Sequence, residues 1–431
     1  MIQDANDPDR HAAQSARERG AFDDAVSAWR ALLRRCPADW QAALAFKRDL
    51  LALGRYAESD PVFQQARRHF PDDIWAEHMA SLYAFPQAEL PASTARAAAL
   101  AAASDDPGLH RLLGNMRLQA RDYAAAAAAF DRDPASCAAA RAARRYERLA
   151  RMVAHAPASG ITPAIAIINL DRNPDRLADI DFQFQSCQPP RFRVPGVEGS
   201  RLPASAIVQL GADPAMRGTL GCFLSHAAAW EAMLARGLPH CLIIEDDVIP
   251  LLPLPAHWGV FGIPRGFDIC FVNDRLAPRA GRDGFEAVPL RDALHAFPPE
   301  DNAPGADGYL LSAAGARALL DWVAQDGFGG DVDWRLLAYG MTAAACDGLH
   351  DGHARDTLVR AQSTISRGNR LAAFVLTPPL IRTVPIASDR EDGNRAGLNP
   401  PPSGAPPLLP TASAAALPAT APRAAASPAV G

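Results

Sequence analysis

The chain has 431 residues, of which 49% are hydrophobic and 21% charged, as in a globular protein with a substantial core. Its 43 basic and 48 acidic residues give a formal net charge of -5, so it lacks the basic excess that nucleic-acid binding usually needs. The seven cysteines are odd in number and never spaced C-x-x-C, which argues against a disulfide framework and against a zinc site.

The first residues, MIQDANDPDRHAAQ, carry neither the basic leader nor the apolar core of a signal peptide. No apolar run in the sequence is long enough to span a bilayer. We therefore expect a cytoplasmic protein, and a peripheral position at the inner membrane stays open.

The first region contains a repeat with a period of 34 residues. Gly20, Phe22, Trp29 and Pro37 recur at that spacing as Gly54, Tyr56, Phe63 and Pro71, and a degenerate third copy is Tyr123 with Phe130. The pattern resembles the tetratricopeptide repeat, a helical hairpin with a glycine at its turn. We predict roughly three to four stacked hairpins, an all-α solenoid over residues 8–152. A plain helical bundle is the alternative, because the segment SLYAFPQAELPASTARAAALAAASDD breaks the register.

The composition changes at HAPASGITP, residues 155–163, where proline and glycine punctuate the chain. Apolar runs then alternate with helical patterns: the strand AIAIINL, helices over 176–187 and 221–236, and the strands CLII and FDICFVN. This alternation predicts an α/β domain over residues 163–394, with a mostly parallel sheet covered on both faces. Residues 396–431 are rich in proline, alanine and serine, and we predict a disordered tail there.

The apolar run CLII leads directly into three carboxylates, Glu245, Asp246 and Asp247. Ligands of open α/β sheets collect at the carboxyl ends of the strands, and in extended geometry Glu245 and Asp247 project to one side and Asp246 to the other. A divalent cation, Mg²⁺ or Mn²⁺, would relieve the repulsion and leave positions open for phosphate oxygens. The triplet therefore predicts a metal diphosphate site. The alternative is a surface turn whose acids face water or cap a helix.

The first strand of this domain continues into polar residues that could face the same ligand. The segment IINLDRNPDR places Asn169, Arg172 and Arg176 at and just beyond the carboxyl end of the strand. Guanidinium groups there could bind a diphosphate bidentately. The alternative is a solvated helix start.

Two glycines precede the next predicted helix, in GTLGCFLSHAAAWEAM, which carries Ser225, His226 and Trp230. His226 and Trp230 lie one helical turn apart and share a face. His226 could bind phosphate or the acceptor, or it could be a buried, hydrogen-bonded structural residue beside Trp230. Cys222 is expected to be a packed small apolar residue. Downstream, GADGYLLSAAGARALL indicates a short strand followed by a helix, and GGDVDW places Asp331 and Asp333 at the start of another helix.

The order NLDRxxDR, GxxGCxLSHxxxW, LIxEDDV, GYLLSxxGAxxLL and VDW resembles glycosyltransferase family 25 over about residues 163–392. Its members are bacterial lipooligosaccharide galactosyltransferases, with the collagen galactosyltransferases as relatives. The resemblance implies a GT-A fold and inverting transfer from a nucleotide sugar, most often UDP-galactose. It implies that Glu245 and Asp247 bind the metal and that the donor cleft is formed by Asn169, Arg172, Arg176, Ser225, His226 and Asp246. Ser388 and Asp389 match a Ser-Asp pair of the family's closing segment.

Inversion needs a base that takes the proton from the acceptor hydroxyl. A carboxylate across the cleft from the metal would serve, and Asp333 is our first candidate, with Asp331 and Asp307 behind it. Helix capping is the alternative for Asp331 and Asp333.

The sequence thus predicts a metal-dependent hexosyltransferase that uses a UDP-sugar donor and a glycan, glycolipid or protein acceptor, with a possible protein partner on the repeats. A nucleotidyltransferase is disfavoured, because LDRNPDR rather than a glycine-rich phosphate loop follows the first strand. The remaining rival is an adaptor in which the repeats bind a partner and the transferase-like domain is not catalytic.

Overall fold

The computed structural model describes residues 7–37, 42, 45–46, 49–50, 53, 58, 90–103, 105, 107–276, 284–295, 305–347, 349, 352–366 and 370–383. Within these ranges, every helix is too short or too polar to cross a membrane. Ser388, Asp389 and the predicted tail at 396–431 lie outside the described residues.

The first part of the chain is helical. Its helices are α1 (Pro8–Glu18), α2 (Phe22–Arg35), α3 (Leu90–Ala102), α4 (Pro107–Gln119), α5 (Tyr123–Phe130) and α6 (Cys137–Ala154). Helices α1 and α2 form a hairpin whose turn contains Gly20 at a φ of 73°, a conformation that glycine adopts without steric cost. On α2, Trp29 is buried and its indole N–H donates to Asp49 at 2.7 Å.

Parts of two predicted copies of the repeat lie in described helices. The first copy spans the turn between α1 and α2, and the aromatic pair of the third copy begins and ends α5. The four residues that define the second copy, Gly54, Tyr56, Phe63 and Pro71, lie outside the described residues. A solenoid of stacked repeats is not shown and stays a prediction.

The second part alternates strands and helices. It contains β1 (Ala164–Asn169), α7 (Pro174–Gln183), β2 (Arg191–Pro195), α8 (Ala204–Gln209), α9 (Arg217–Ala235), β3 (His240–Glu245), β4 (Val248–Pro250), β5 (Ile269–Phe271), β6 (Glu286–Pro289), α10 (Leu290–His295), β7 (Gly308–Ser312), α11 (Ala313–Asp326), α12 (Val332–Gly340), α13 (Ala343–Asp347), α14 (Gly352–Gln362), β8 (Ala373–Thr377) and β9 (Ile381–Thr383).

Seven of these strands form one sheet in the order β2-β1-β3-β7-β5-β8-β6, and β4 pairs with β9 in a separate ribbon. Strands β2, β1 and β3 are mutually parallel, whereas β7 is antiparallel to both β3 and β5, and β6 is antiparallel to β8. The prediction of a mostly parallel sheet is confirmed in part, because β5 and β8 are also parallel and three of the six pairings are thus parallel and three antiparallel. The sheet is mixed, because β7 inserts in reverse direction between β3 and β5, and hydrophobic periodicity carries no information on strand direction. A mixed α/β sheet of this kind fits a GT-A-like fold.

Both faces of the sheet are covered, as predicted. One face packs against α9, α11 and α12, around Phe223, Trp230 and Tyr339. The other face packs against α7 and against the end of the helical region, since Leu149 and Val153 of α6 share a core with Ile165 of β1. The helical region is thus attached to the α/β domain by apolar packing as well as by the connecting segment at 155–163.

Two tyrosines of the helical region also bond to the α/β domain. The hydroxyl of Tyr123 donates to the carbonyl of Leu251, and that of Tyr146 donates to Pro379 at 3.3 Å. Leu251 directly follows β4, a few residues after the acidic triplet. The helical region therefore supports the segment that follows the candidate site.

Candidate functional site

The carboxyl ends of β1 and β3 meet at one edge of the sheet. The two strands are parallel neighbours, with Ile168 opposite Glu245, and they end at Asn169 and Glu245. Asp307 directly precedes β7, which runs antiparallel to β3 and so begins at the same edge. The acidic triplet, the first-strand motif and Asp307 are brought together there.

The middle carboxylate of the triplet, Asp246, is buried in a polar network. The side-chain amide of Asn169 donates to its Oδ2 at 2.7 Å, and Arg176 donates to its Oδ1 at 3.1 Å. The side chains of Arg176 and Asp246 are only 7% and 10% exposed. Asn169 and Arg176, both predicted to bind the donor, therefore contact Asp246, and they link the first-strand motif to the acidic triplet.

Two further arginines flank this network. Arg193 on β2 donates to the side-chain and main-chain oxygens of Asn169 at 2.9 and 3.0 Å. Sequence reasoning missed Arg193, although its position on a short basic strand, RFR, was a usable signal. Arg172 forms an ion pair with Glu198 at 2.8 Å, with both side chains 22% exposed. Both arginines are partly exposed, at 22% for the side chain of Arg172 and 30% for that of Arg193, so both lie at the rim of the buried network.

Glu245, the last residue of β3, faces α9. Its Oε1 lies 3.2 Å from Nε2 of His226 and 3.9 Å from Sγ of Cys222. The nitrogen, sulfur and carboxylate oxygen atoms of these three side chains lie within 4.8 Å of one another. Among the described residues, they form a group that is close enough to share a metal ion. Cys222 was expected to be only a packing residue, yet the i,i+4 spacing of Cys222 and His226 on one helix face was a signal of this arrangement.

Asp247, the last residue of the triplet, lies among other carboxylates. Its Oδ1 is buried and has no hydrogen-bond partner among the described residues. Burial and the nearby carboxylates of Glu245, Asp246 and Asp307 raise the pKa of Asp247 well above its usual range, while Arg176 opposes the shift. A divalent cation would offset the charge of these carboxylates and would provide a ligand contact for Oδ1 of Asp247. The Asp247 carboxylate therefore fits the predicted metal, whereas Glu245 already contacts His226.

Asp307 is held by hydrogen bonds on both oxygens. Asn273 donates to Oδ1, and Arg275 and the hydroxyl of Thr383 donate to Oδ2 at 2.5 Å each. Burial acts against the charge of Arg275, but the carboxylates around it, Asp307 first, raise its pKa. Asn273 and Arg275 were missed by sequence reasoning. Their position directly after the apolar strand FDICFV, at the same kind of strand end as the triplet, could have indicated them.

The two remaining base candidates lie at the start of α12. Asp331 is the N-cap, and its carboxylate accepts from the backbone N–H of Asp333 at 3.1 Å. Asp333 is buried, and its Oδ1 accepts from the backbone N–H of Ala306 at 2.8 Å, next to Asp307. Asp331 thus caps the helix, as the alternative interpretation predicted. Asp333 instead contacts the backbone of Ala306, the residue before Asp307.

Ser225 connects α9 to the loop after β2. Its hydroxyl accepts from the backbone N–H of Val197 at 2.7 Å and donates to the carbonyl of Gly221 at 2.7 Å. Helix α9 begins at Arg217, not at Gly221 as predicted, so the two glycines of the motif lie inside its first turns. Gly221 is needed there because the loop after β2 passes directly over the helix.

Gly221→Ala is expected to destabilise the protein by about 1–3 kcal/mol, the usual effect of overpacking. A Cβ on Gly221 would lie 2.6 Å from backbone atoms of Val197 and Gly199, neither of which can rotate away. Urea unfolding of the variant measures the loss. Gly266→Ala is the control, since a Cβ there meets nothing within 4 Å. Equal stability of the two variants would contradict the proposed close contact.

Comparison with known proteins finds a family match for the first part of this α/β region. Residues 162–250 match the model of glycosyltransferase family 25, described as an LPS biosynthesis protein. The match begins just before β1 and ends with β4, so it includes the first-strand motif, α9 and the acidic triplet. The chain therefore carries a glycosyltransferase family 25 domain at these residues.

Individual relatives match over limited segments. The human protein named inactive glycosyltransferase 25 family member 3 is 35% identical over 96 residues, which are 20% of this chain and 16% of the relative. A glycosyltransferase 25 family member of Drosophila melanogaster is 33% identical over a segment of the same length. The lacto-N-neotetraose biosynthesis glycosyltransferase LgtB of Neisseria gonorrhoeae is 29% identical over 157 residues, 33% of this chain and 51% of LgtB. The chain thus matches from a sixth to half of the length of these relatives.

Proposed function

We propose that the family 25 domain and the strands that complete its sheet form a hexosyltransferase that moves a sugar, galactose first among the candidates, from a UDP-sugar to an acceptor hydroxyl with inversion. The acceptor would be a glycan, a lipooligosaccharide or other glycolipid, or a protein. The observation that carries the proposal is the buried Oδ1 of Asp247, which lies among carboxylates at the sheet edge and has no hydrogen-bond partner in the part of the chain that the structure describes. That sheet edge is where ligands of open α/β sheets bind.

In this proposal Glu245 and Asp247 hold Mn²⁺ or Mg²⁺, which supplies charge neutralisation for the leaving diphosphate. The chain's own residues supply the rest. Arg275, which lies among acidic side chains and is 34% exposed, is placed to attract a phosphate oxygen. Asp333 is proposed as the base, because it is buried beside Asp307 and its carboxylate is fixed by Ala306.

Metal-dependent donor binding tests this proposal. We expect the purified protein to bind one UDP-sugar in the presence of Mn²⁺. Glu245→Ala/Asp247→Ala should lower that affinity by at least about 100-fold, because removing charged contacts in a buried site costs several kcal/mol. Calorimetric titration with a series of UDP-sugars, with Mn²⁺ and with chelator, is the measurement.

A matched control removes two carboxylates elsewhere. Asp292→Ala/Asp321→Ala makes the same change in net charge at two exposed helix positions and should bind the donor as the wild type does. If the folded wild type binds no UDP-sugar with or without metal, the proposed transferase function fails.

The failure of donor binding would favour a second candidate, an adaptor whose helical region binds a protein partner. The observation that supports it is that the human and mouse relatives are named inactive. Function depends on the residues of the site and not on the fold, so a family 25 domain could serve such an adaptor without catalysing the transfer.

A further inference from the structure

A continuous chain of hydrogen bonds runs beneath Glu245. The indole N–H of Trp230 donates to the hydroxyl oxygen of Tyr309 at 2.8 Å, and that oxygen lies 2.9 Å from Nδ1 of His226. Nε2 of His226 in turn lies 3.2 Å from Oε1 of Glu245. Trp230, Tyr309 and His226 each have 0% exposure, so bulk water does not reach any of the three. We call these three residues the relay.

The fold brings the relay together from two elements. His226 and Trp230 are four residues apart on α9 and present their side chains to the sheet on the same face. Tyr309 is the second residue of β7 and pairs with Ile243 of β3, two residues before Glu245. A single tyrosine hydroxyl thus meets both helical side chains directly behind the end of β3.

The number of protons available decides which group donates and which accepts in each of these hydrogen bonds. The indole N–H can only donate, so the oxygen of Tyr309 accepts from it. Tyr309 keeps its proton, since burial raises its pKa well above the usual range. Among the described residues, the acceptor within reach of that proton is Nδ1 of His226. Nδ1 is therefore unprotonated, and the proton of the neutral ring is on Nε2, from which it is donated to Glu245.

We propose that Trp230 and Tyr309 are positioning residues that hold His226 as its Nε2–H tautomer, and that His226 thereby fixes the carboxylate of Glu245 at the end of β3. The side chain of Glu245 is 31% exposed, so the carboxylate stays accessible from the cleft while Oε1 is held from below. This inference rests on the proposed function, in which Glu245 is a ligand of the donor complex. It makes His226 a support of the site and not a contact of the nucleotide.

The same count argues against a soft metal such as Zn²⁺ between Cys222, His226 and Glu245. A metal on Nε2 would require the ring proton to move to Nδ1. The hydroxyl of Tyr309 would then face two donors, the indole and Nδ1, and its own proton would lose its acceptor among the described residues. Buried donors without partners are avoided in folded proteins.

Nitrogen-15 NMR of the full chain labelled in its histidines reads the tautomer directly. We expect His226, assigned by the loss of its signals in His226→Gln, to show a protonated Nε2 and an unprotonated Nδ1. Tyr309→Phe removes the hydroxyl that donates to Nδ1, so the Nδ1 signal should move to that of a ring nitrogen without a hydrogen bond, while Nε2 stays protonated against Glu245. Tyr339→Phe is the matched control, because Tyr339 is equally buried and its hydroxyl bonds to Asp326 at 2.8 Å instead.

Donor binding supplies the second readout. Tyr309→Phe should weaken metal-dependent UDP-sugar binding on the order of 10-fold, the usual effect of losing a partner behind a ligand residue. Tyr339→Phe should leave binding unchanged. The proposal is overturned if Nδ1 is protonated in the wild type, or if the nitrogen-15 signal of Nε2 shifts when Zn²⁺ alone is added. It is also overturned if Tyr309→Phe binds the UDP-sugar as tightly as the wild type does. If the wild type binds no UDP-sugar, the proposed function fails, and the tautomer alone decides the relay.

Discussion

Asp247→Asn is expected to make the metal-free protein more stable and at the same time to abolish metal-dependent donor binding. In the folded protein the charged form of Asp247 is disfavoured, because burial and the carboxylates of Glu245, Asp246 and Asp307 raise its pKa. A neutral amide removes that repulsion. The gain should be on the order of 1 kcal/mol, or about 2–4 °C in Tm for a domain of this size. Thermal unfolding in chelator measures it.

The effect should depend on pH with a defined sign. A raised pKa means that the stability contributed by Asp247 is fully present below the unfolded value of 3.8 and is lost as the pH rises through the folded value. Asparagine does not titrate. The difference in Tm between Asp247→Asn and the wild type should therefore be smallest in acid and should grow as the pH rises above the usual range of an aspartate. A difference that shrinks toward neutral pH would contradict this assignment.

Asp307→Asn is the matched control, because it makes the same chemical change at a neighbouring carboxylate. Asp307 accepts hydrogen bonds from Asn273, Arg275 and Thr383, and an amide could not accept all three. We expect a loss of stability of about 1–3 kcal/mol for Asp307→Asn, opposite in sign to Asp247→Asn. If both variants are destabilised in chelator, Asp247 makes a favourable contact and the proposed cation site loses its main support.

The contrast between Asp247 and Asp307 shows what the sequence could and could not predict. The triplet follows an apolar strand, and the rule that ligands bind at carboxyl ends of strands was enough to predict where it lies. The strands around the triplet, β1, β3 and β7, were predicted from their apolar runs, because short apolar runs are typical of buried strands. Which carboxylate is partnered depends on Asn273, Arg275 and Thr383, which are far apart in the sequence and reach Asp307 only through the reversed direction of β7.

The motif SHxxxW gives a second example. Its spacing predicted that His226 and Trp230 share a helix face, and this is what the structure shows. Both side chains on this face form hydrogen bonds with the hydroxyl of Tyr309, which lies on a strand more than seventy residues later. Helical periodicity describes one element at a time, so it left the choice between a ligand and a structural histidine open. The proposal that His226 is a positioning residue rests on a hydrogen-bond count across two elements, which the sequence does not provide.

Asp246→Ala is expected to destabilise the protein by about 3–5 kcal/mol, the largest effect on stability that we expect of these variants. The change leaves the guanidinium of Arg176, 7% exposed, without its carboxylate and also removes an acceptor of Asn169. Unfolding in guanidinium chloride measures the loss in the free energy of unfolding. Asp131→Ala is the control, because its ion pair with Arg144 has both side chains 46% exposed and should be worth less than about 1 kcal/mol. Equal effects of the two changes would contradict the buried network.

Replacing both partners separates structure from donor recognition. Arg176→Met/Asp246→Leu removes the buried pair without leaving an isolated charge, and such replacements are often neutral or stabilising. We expect the double variant to recover the stability that Asp246→Ala loses. Because Arg176 is nearly buried and bonds to Asp246, we also expect the double variant to keep metal-dependent donor binding within about 10-fold. Recovered stability with binding lost by more than 100-fold would instead show that Arg176 or Asp246 contacts the donor, as the family resemblance implies.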